Sequence, residues 1–301
     1  LDNRCELQCG LSYWYGDHVC EPNARWRSND KLRRYYVFCR ITNHFWRKNI
    51  DRDWYRYGPQ SGFNGVDYYR DELDLMAMQQ TLFEKGVKVV PGTQTFTPGS
   101  GNFTVPLFNT FTIEVWGAGG GGGGFSTLAP YAPINGTAGG GSSIGSLSAG
   151  GGGGPNGQTG GSSGGASGGT TNTAGAAGGT ASGTHGVTGT FVSGGGGAGA
   201  NGGGGGGAQT ATIGQSWSGT GGTVPGGGGS GAAYNFSFSS GGGGSAGGGG
   251  GGGYSIRTYA AGGALAYQDV LSYTVGSPGS GAGAYLSGGN GANGIIKLTW
   301  T

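Results

Sequence analysis

The chain has 301 residues, room for two or three domains, with 80 glycines and a formal charge of +2. The glycines follow no strict Gly-X-Y period, which excludes collagen. No apolar run approaches the ~20 residues that cross a bilayer as a helix. The chain opens at Leu1 rather than Met, which leaves room for a preceding segment, and no signal-peptide pattern opens it. Charge and glycine are segregated. Of the 30 charged side chains, only Glu114, Arg257, Asp269 and Lys297 lie after residue 100, where 72 of the 80 glycines are found.

In chain order, residues 1–75 are dense in aromatic and basic side chains, with YWY at 13–15, RWR at 25–27, HFWRK at 44–48 and DRDWYRY at 51–57. RYYVFCRI alternates as a strand does, Tyr35, Val37 and Cys39 against Tyr36, Phe38 and Arg40. RDELDLMAMQQTLFEKG at 70–86 reads as a helix. Leu73, Met76 and Gln80 follow one stripe and Met78 and Leu82 another, with Lys85 late and Gly86 as a stop. Short strands broken by Pro-Gly turns follow at 91–116.

All four cysteines, at 5, 9, 20 and 39, lie in this first part. Their spacing does not match paired C-x2-C zinc knuckles, although His18 and His44 are present as candidate ligands, so disulfides or buried thiols are expected rather than a metal. Arg33, Val37 and Cys39, with Asp51, Arg52 and Trp54, resemble the D-R-x-W-x-F-x-C repeats of dermatopontin-like matrix proteins over about twenty residues, with Tyr35 in place of Trp. Acidic and basic side chains nearly cancel in residues 1–100, so the Arg-aromatic pairing points to a protein interface and not to nucleic acid. Trp14, Trp26, Trp46 and Trp54 are the candidate docking anchors.

From residue 117 glycine blocks alternate with short apolar or hydroxyl-rich segments: FSTLAPYAPIN (125–135), SSIGSLSA (142–149), GTFVS (189–193), QTATIGQSWS (209–218), AAYNFSFSS (232–240), YSIRTYAAGGALAYQDVLSYTV (254–275) and AYLS (284–287). A flexible linker would not space large side chains so regularly. Strand 111–116 leads in and GIIKLTW at 294–300 closes, Ile296, Leu298 and Trp300 alternating with Ile295, Lys297 and Thr299. The expected fold is mostly irregular and β: a small β-rich or α+β module over 1–90, lead-in strands over 91–116, a polyglycine-II helix bundle over 117–294 and a closing strand at 295–301. Polyglycine-II helices have three residues per turn and ~3.1 Å rise, so an eight-residue block spans roughly 25 Å. Without Cβ atoms such rods approach closely enough to hydrogen-bond to one another. The 117–294 region should then be nearly devoid of helix and of long strands, and valine at Gly204 or Gly249 should prevent close packing.

The strand running into VWGAGGGGGG, the alternating blocks and loops, and the closing GGNGANGIIKLTW together resemble the glycine-rich domain of bacteriophage tail-fibre and tail-tip adhesins, over about residues 91–301. The resemblance implies a non-enzymatic virion protein, held by its first module to other tail or fibre proteins. Loops between glycine blocks would contact a host-surface protein or glycan. A homo-oligomeric state is left open. The candidate contacts are Phe125, Leu128, Tyr131, Trp217, Tyr234, Phe236 and Phe238, read as exposed aromatic and apolar residues with little charge nearby. A structural subunit of an extracellular filament or matrix is the alternative. No catalytic site, cofactor, metal or membrane insertion is expected. His185, Asp269 and Glu114 are isolated among neutral residues, and H-E-x-x-H and the phosphate-binding G-x-x-x-x-G-K-[ST] are absent.

Overall fold

The computed structural model divides the chain into two units, Leu1–Asn64 and Gly65–Thr301. It describes residues 86–126, 132–183, 189–235 and 243–301, together with 4–6, 12–14, 78 and 80–82. Of the first unit, two strands are described: Arg4–Glu6 pairs antiparallel with Ser12–Trp14, Cys5 opposite Tyr13. Trp26, Trp46 and Trp54, the 33–41 segment and Cys9, Cys20 and Cys39 lie outside the described residues.

In the second unit Met78, Gln80, Thr81 and Leu82 are helical. Gly86 ends the turn at φ 73°, and the Val87 N–H donates back to the Leu82 carbonyl at 3.0 Å. That bond across a left-handed glycine is a Schellman closure, which glycine supports because it lacks a Cβ. Among the described residues no helix is long and apolar enough to cross a membrane.

Two five-stranded sheets follow. The first runs, in spatial order, Thr171–Thr173, Tyr254–Ala260, Thr110–Trp116, Ile295–Trp300 and Gly92–Phe96. The second runs Ala166–Ser167, Leu147–Ala149, Ser142–Ile144, Val270–Val275 and Gly99–Thr104. All pairs are antiparallel. Alternation directs Phe111, Ile113, Val115, Ile296 and Leu298 of the first sheet onto Ile144, Leu147, Ala149 and Val275 of the second, in one buried core. Phe96, Phe103, Tyr273 and Trp300 close its flank, the Phe96 and Tyr273 rings stacked at 4.1 Å.

Eight of these ten strands continue directly into glycine-rich segments. Thr110–Trp116 passes into 117–123, and Ile295–Trp300 emerges from 288–294. The other six are Ser142–Ile144, Leu147–Ala149, Ala166–Ser167, Thr171–Thr173, Tyr254–Ala260 and Val270–Val275. The glycine segments have neither helical nor ladder pairing, yet their backbone bonds are satisfied by one another.

Segment 117–123 sets out the pattern. The N–H groups of Gly117, Gly120 and Gly123 donate to Gly253, Gly250 and Gly247. Those of Ala118 and Gly121 donate to Gly140 and Thr137, and those of Gly119 and Gly122 to Ala292 and Gly289. Every third residue faces the same neighbour, and acceptor numbers fall as donor numbers rise, so these three neighbours are antiparallel. Three parallel segments donate back: Gly152 to Ala118, Gly229 and Ala232 to Gly120 and Gly123, and Gly279 and Ala282 to Gly119 and Gly122. Segment 247–253 is likewise surrounded by six others. It donates to 150–157, 176–179 and 226–229, and accepts from 117–123, 161–164 and 197–200.

Such spacing leaves little room for side chains. A Cβ on Gly122 would collide with the carbonyl of Ser230, and one on Gly249 with the carbonyl of Gly120. Small residues such as Ala118 and Ser230 are tolerated inside the array, and pairs of polar residues turn outward at its edge. Gly161 and Gly164 are buried and donate to Gly248 and Gly251, while Ser162 and Ser163 between them are exposed.

Two expectations are corrected. The glycine bundle expected over 117–294 does not fill that range: Tyr254–Ala260 and Val270–Val275 are strands of seven and six residues, because YSIRTYA and VLSYTV alternate in side-chain character and enter the two sheets. Gly204 lies on an exposed edge where the nearest atom to a built Cβ is Thr223 Oγ1 at 3.6 Å, so its close packing does not depend on glycine.

Candidate functional site

The bonding register levels the ends of the segments. Gly123 bonds Gly247, Gly122 bonds Gly289, Gly194 bonds Ala246 and Gly219 bonds Ser287, all at the end away from the two sheets. The described residues of the connections, 124–126 and 132–136, 181–183 and 189–193, 208–218, 233–235 and 243–245, and 283–287, therefore gather at this distal end. The hairpin turns at Asn201 and at 223–226 return to the sheet end, where the Trp116 indole Nε1 donates to the Asn201 carbonyl at 3.2 Å.

The distal end has a small core of its own. Phe125 pairs its backbone with Leu286, and its ring meets Tyr234 edge-on at 4.7 Å, with Ala232, Ala246 and Leu286 around them. Phe191 is buried, its ring lying where Cβ atoms on Gly183 and Gly243 would stand. Phe125 and Tyr234, expected to be exposed, are 0% and 2% exposed. The reason is physical: glycine supplies no apolar side chains, so large rings at the segment ends cap the array and exclude water from its terminal hydrogen bonds. Leu128, Tyr131, Phe236 and Phe238 lie outside the described residues.

Trp217 is where it was expected, on the surface and 46% exposed. It belongs to the edge strand Gln215–Trp217, which pairs with Ala233–Asn235 and through it with Gly244–Ser245. Residues 212–218 are all exposed. Sequence reasoning missed Ile134, Ile213 and Tyr285, three further exposed apolar residues of the distal end. Segment 219–222 donates to Ser287 and Asn290 in parallel register, so the chain leaves the array beside 283–287 on its way to Trp217. Their signal in the sequence was position alone, a large side chain just outside a glycine block.

The ionisable groups sit elsewhere. Glu114, on the outer face of the first sheet, accepts a 2.9 Å hydrogen bond from the Tyr254 hydroxyl and faces Lys297 at 3.8 Å. Burial, reinforced by Glu114, pushes the Tyr254 phenol up to about 12. Asp269 Oδ2 accepts the Ala266 N–H at 2.7 Å in a turn. A cavity of about 280 Å³ beside it is lined by Ile113, Ile144, Tyr259, Leu265 and Leu271, all residues of the sheet unit and its connection. His185 lies outside the described residues.

Comparison with known proteins gives no match to a family model, to a curated protein or to a solved structure. The distal end is thus read from its own geometry: a surface of aromatic, hydroxyl and amide groups, with no Asp, Glu, Lys or Arg between residues 115 and 256.

Proposed function

We propose that this chain is a bacteriophage tail-associated adhesin whose glycine segments form a polyglycine-II lattice and whose distal loops contact a host-surface protein or glycan. The observation that carries this reading is the pairing of a six-neighbour hydrogen-bonded array with loops collected at one end. The period of three in the bonding agrees with the three-residue turn of polyglycine II. An array anchored in eight strands of a packed double sheet is a stiff support, and stiffness at the base lets exposed loops vary without loss of fold. In this reading the first module docks on tail or fibre proteins through Trp14, Trp26, Trp46 and Trp54. The protein is non-enzymatic, and its place is the virion tail tip or fibre.

The buried rings Phe125 and Tyr234 act as a cap in this scheme, and recognition passes to exposed residues such as Trp217. Exchange of segment 209–218 for an unrelated loop of equal length tests it. Binding to host cells, or host range, should change while the melting temperature stays within a few degrees of the parent. If this exchange and exchanges of 126–133 and 235–243 leave cell binding untouched, the chain is not an adhesin of this kind, and the filament-subunit reading replaces it.

A further inference from the structure

We infer that the exposed turn and edge strand at 212–217 are a subsite for the uncharged pyranose ring of a surface glycan, with Trp217 as its stacking face and Gln215 as a fixed hydrogen-bond donor. The inference rests on the adhesin reading and names the ligand class of its distal end. Gln215 and Trp217 are two apart on one strand, so their side chains leave the same side of it. Both are exposed.

The Gln215 amide is held in one orientation. Its Oε1 accepts the Thr212 N–H at 3.1 Å and the Thr212 hydroxyl at 2.7 Å. This turns Nε2 outward, with both of its hydrogens without an acceptor among the described residues. Directly across the strand pair stands Asn235. Asn235 is wholly buried, and its Nδ2 donates to the Gly189 carbonyl. Its Oδ1 is buried without a partner. That atom is closed to solvent, so it offers no contact to a ligand on the exposed face.

The exposed face therefore offers an indole plane and a preset donor. A pyranose matches this set: its C–H face packs on the indole, and its hydroxyls accept from the Gln215 amide. A charged ligand does not match, because no counter-charge lies within the lattice segments or their distal connections and a desolvated charge needs a partner. Preset orientation of Gln215 also lowers the entropy lost on binding.

Saturation-transfer NMR on the full chain tests this with the methyl glycosides of glucose, galactose and N-acetylglucosamine at millimolar concentration, with sialic acid as the charged comparison. Transfer to ring C–H protons of at least one neutral glycoside is expected, and none to sialic acid. Trp217→Ala should weaken binding about tenfold or more, and Gln215→Glu, which keeps the size but removes the donor, should weaken it too. Val270→Ala, an exposed change in the sheet unit, should leave it unchanged. Transfer to no neutral glycoside, or transfer retained in Trp217→Ala with the parent melting temperature, overturns the subsite. Cell binding of the same proteins separates the two ideas. A chain that binds cells but no glycoside overturns the subsite and leaves the adhesin reading standing, whereas one that binds glycosides but no cells does the reverse.

Discussion

Gly249 and Gly204 look alike in the sequence, each inside a long glycine run, and the structure gives them opposite roles. Gly249 sits in a segment enclosed on six sides, where any Cβ meets the Gly120 carbonyl. Gly204 faces open space. Gly249→Val should therefore cost about 3 kcal/mol or more in chemical denaturation, at the upper end of overpacking effects. Gly204→Ala should be neutral or stabilising by up to about 1 kcal/mol, because it lowers only the entropy of the unfolded chain. Run length in the sequence cannot make this distinction. Residues 202–207 and 119–124 are both runs of six glycines, one on an edge and one enclosed. What sets enclosure is which segments fold back beside them, a long-range property that no local pattern encodes.

At the scale of elements, the junction between sheet and lattice is held by a few side chains. The Trp116 and Tyr254 rings meet at a tilt, centroids 4.8 Å apart, in one cluster with Ala200, and the Asn201 carbonyl accepts the indole hydrogen bond, so the 194–207 hairpin is fastened to the first sheet. The Tyr254 phenol, pushed up to about 12, is held in its neutral form by the fold. Its contribution is complete below its unfolded value near pH ~10 and is lost as the pH rises from there toward about 12. Tyr254→Phe should remove that share of the alkaline destabilisation, at a cost of about 1 kcal/mol near neutrality for the lost bond to Glu114. Paired denaturation curves of parent and variant across this range measure both effects. The legible elements were those with strict alternation and clear ends: 110–116 and 295–300 were readable as strands, and they pair with each other. The 254–260 and 270–275 strands also alternate, but between glycine blocks they read as one long loop. Their pairing partners lie more than 80 residues away in sequence. Phe125 and Tyr234 were legible as important and misread as exposed, since composition alone does not tell a cap from a contact.

For the whole molecule, the lattice inverts the usual division between core and backbone. The two sheets bury side chains around one apolar centre, whereas the glycine array buries peptide groups against peptide groups. Ordering glycine costs more entropy than ordering any other residue, so the array must gain its stability cooperatively from bonds to many neighbours at once. The eight strands that run into it fix the direction and spacing of its segments at one end. Amide hydrogen exchange, resolved residue by residue, reads this most directly. Every amide of 117–123 and 247–253 should be strongly protected, while in the outer segment 160–165 protection should recur with a period of three, high at Gly161 and Gly164 and low at Ser162 and Ser163. Glycine amides exchanging throughout at the rate of an unstructured chain, or protected without that period, would contradict a hydrogen-bonded lattice.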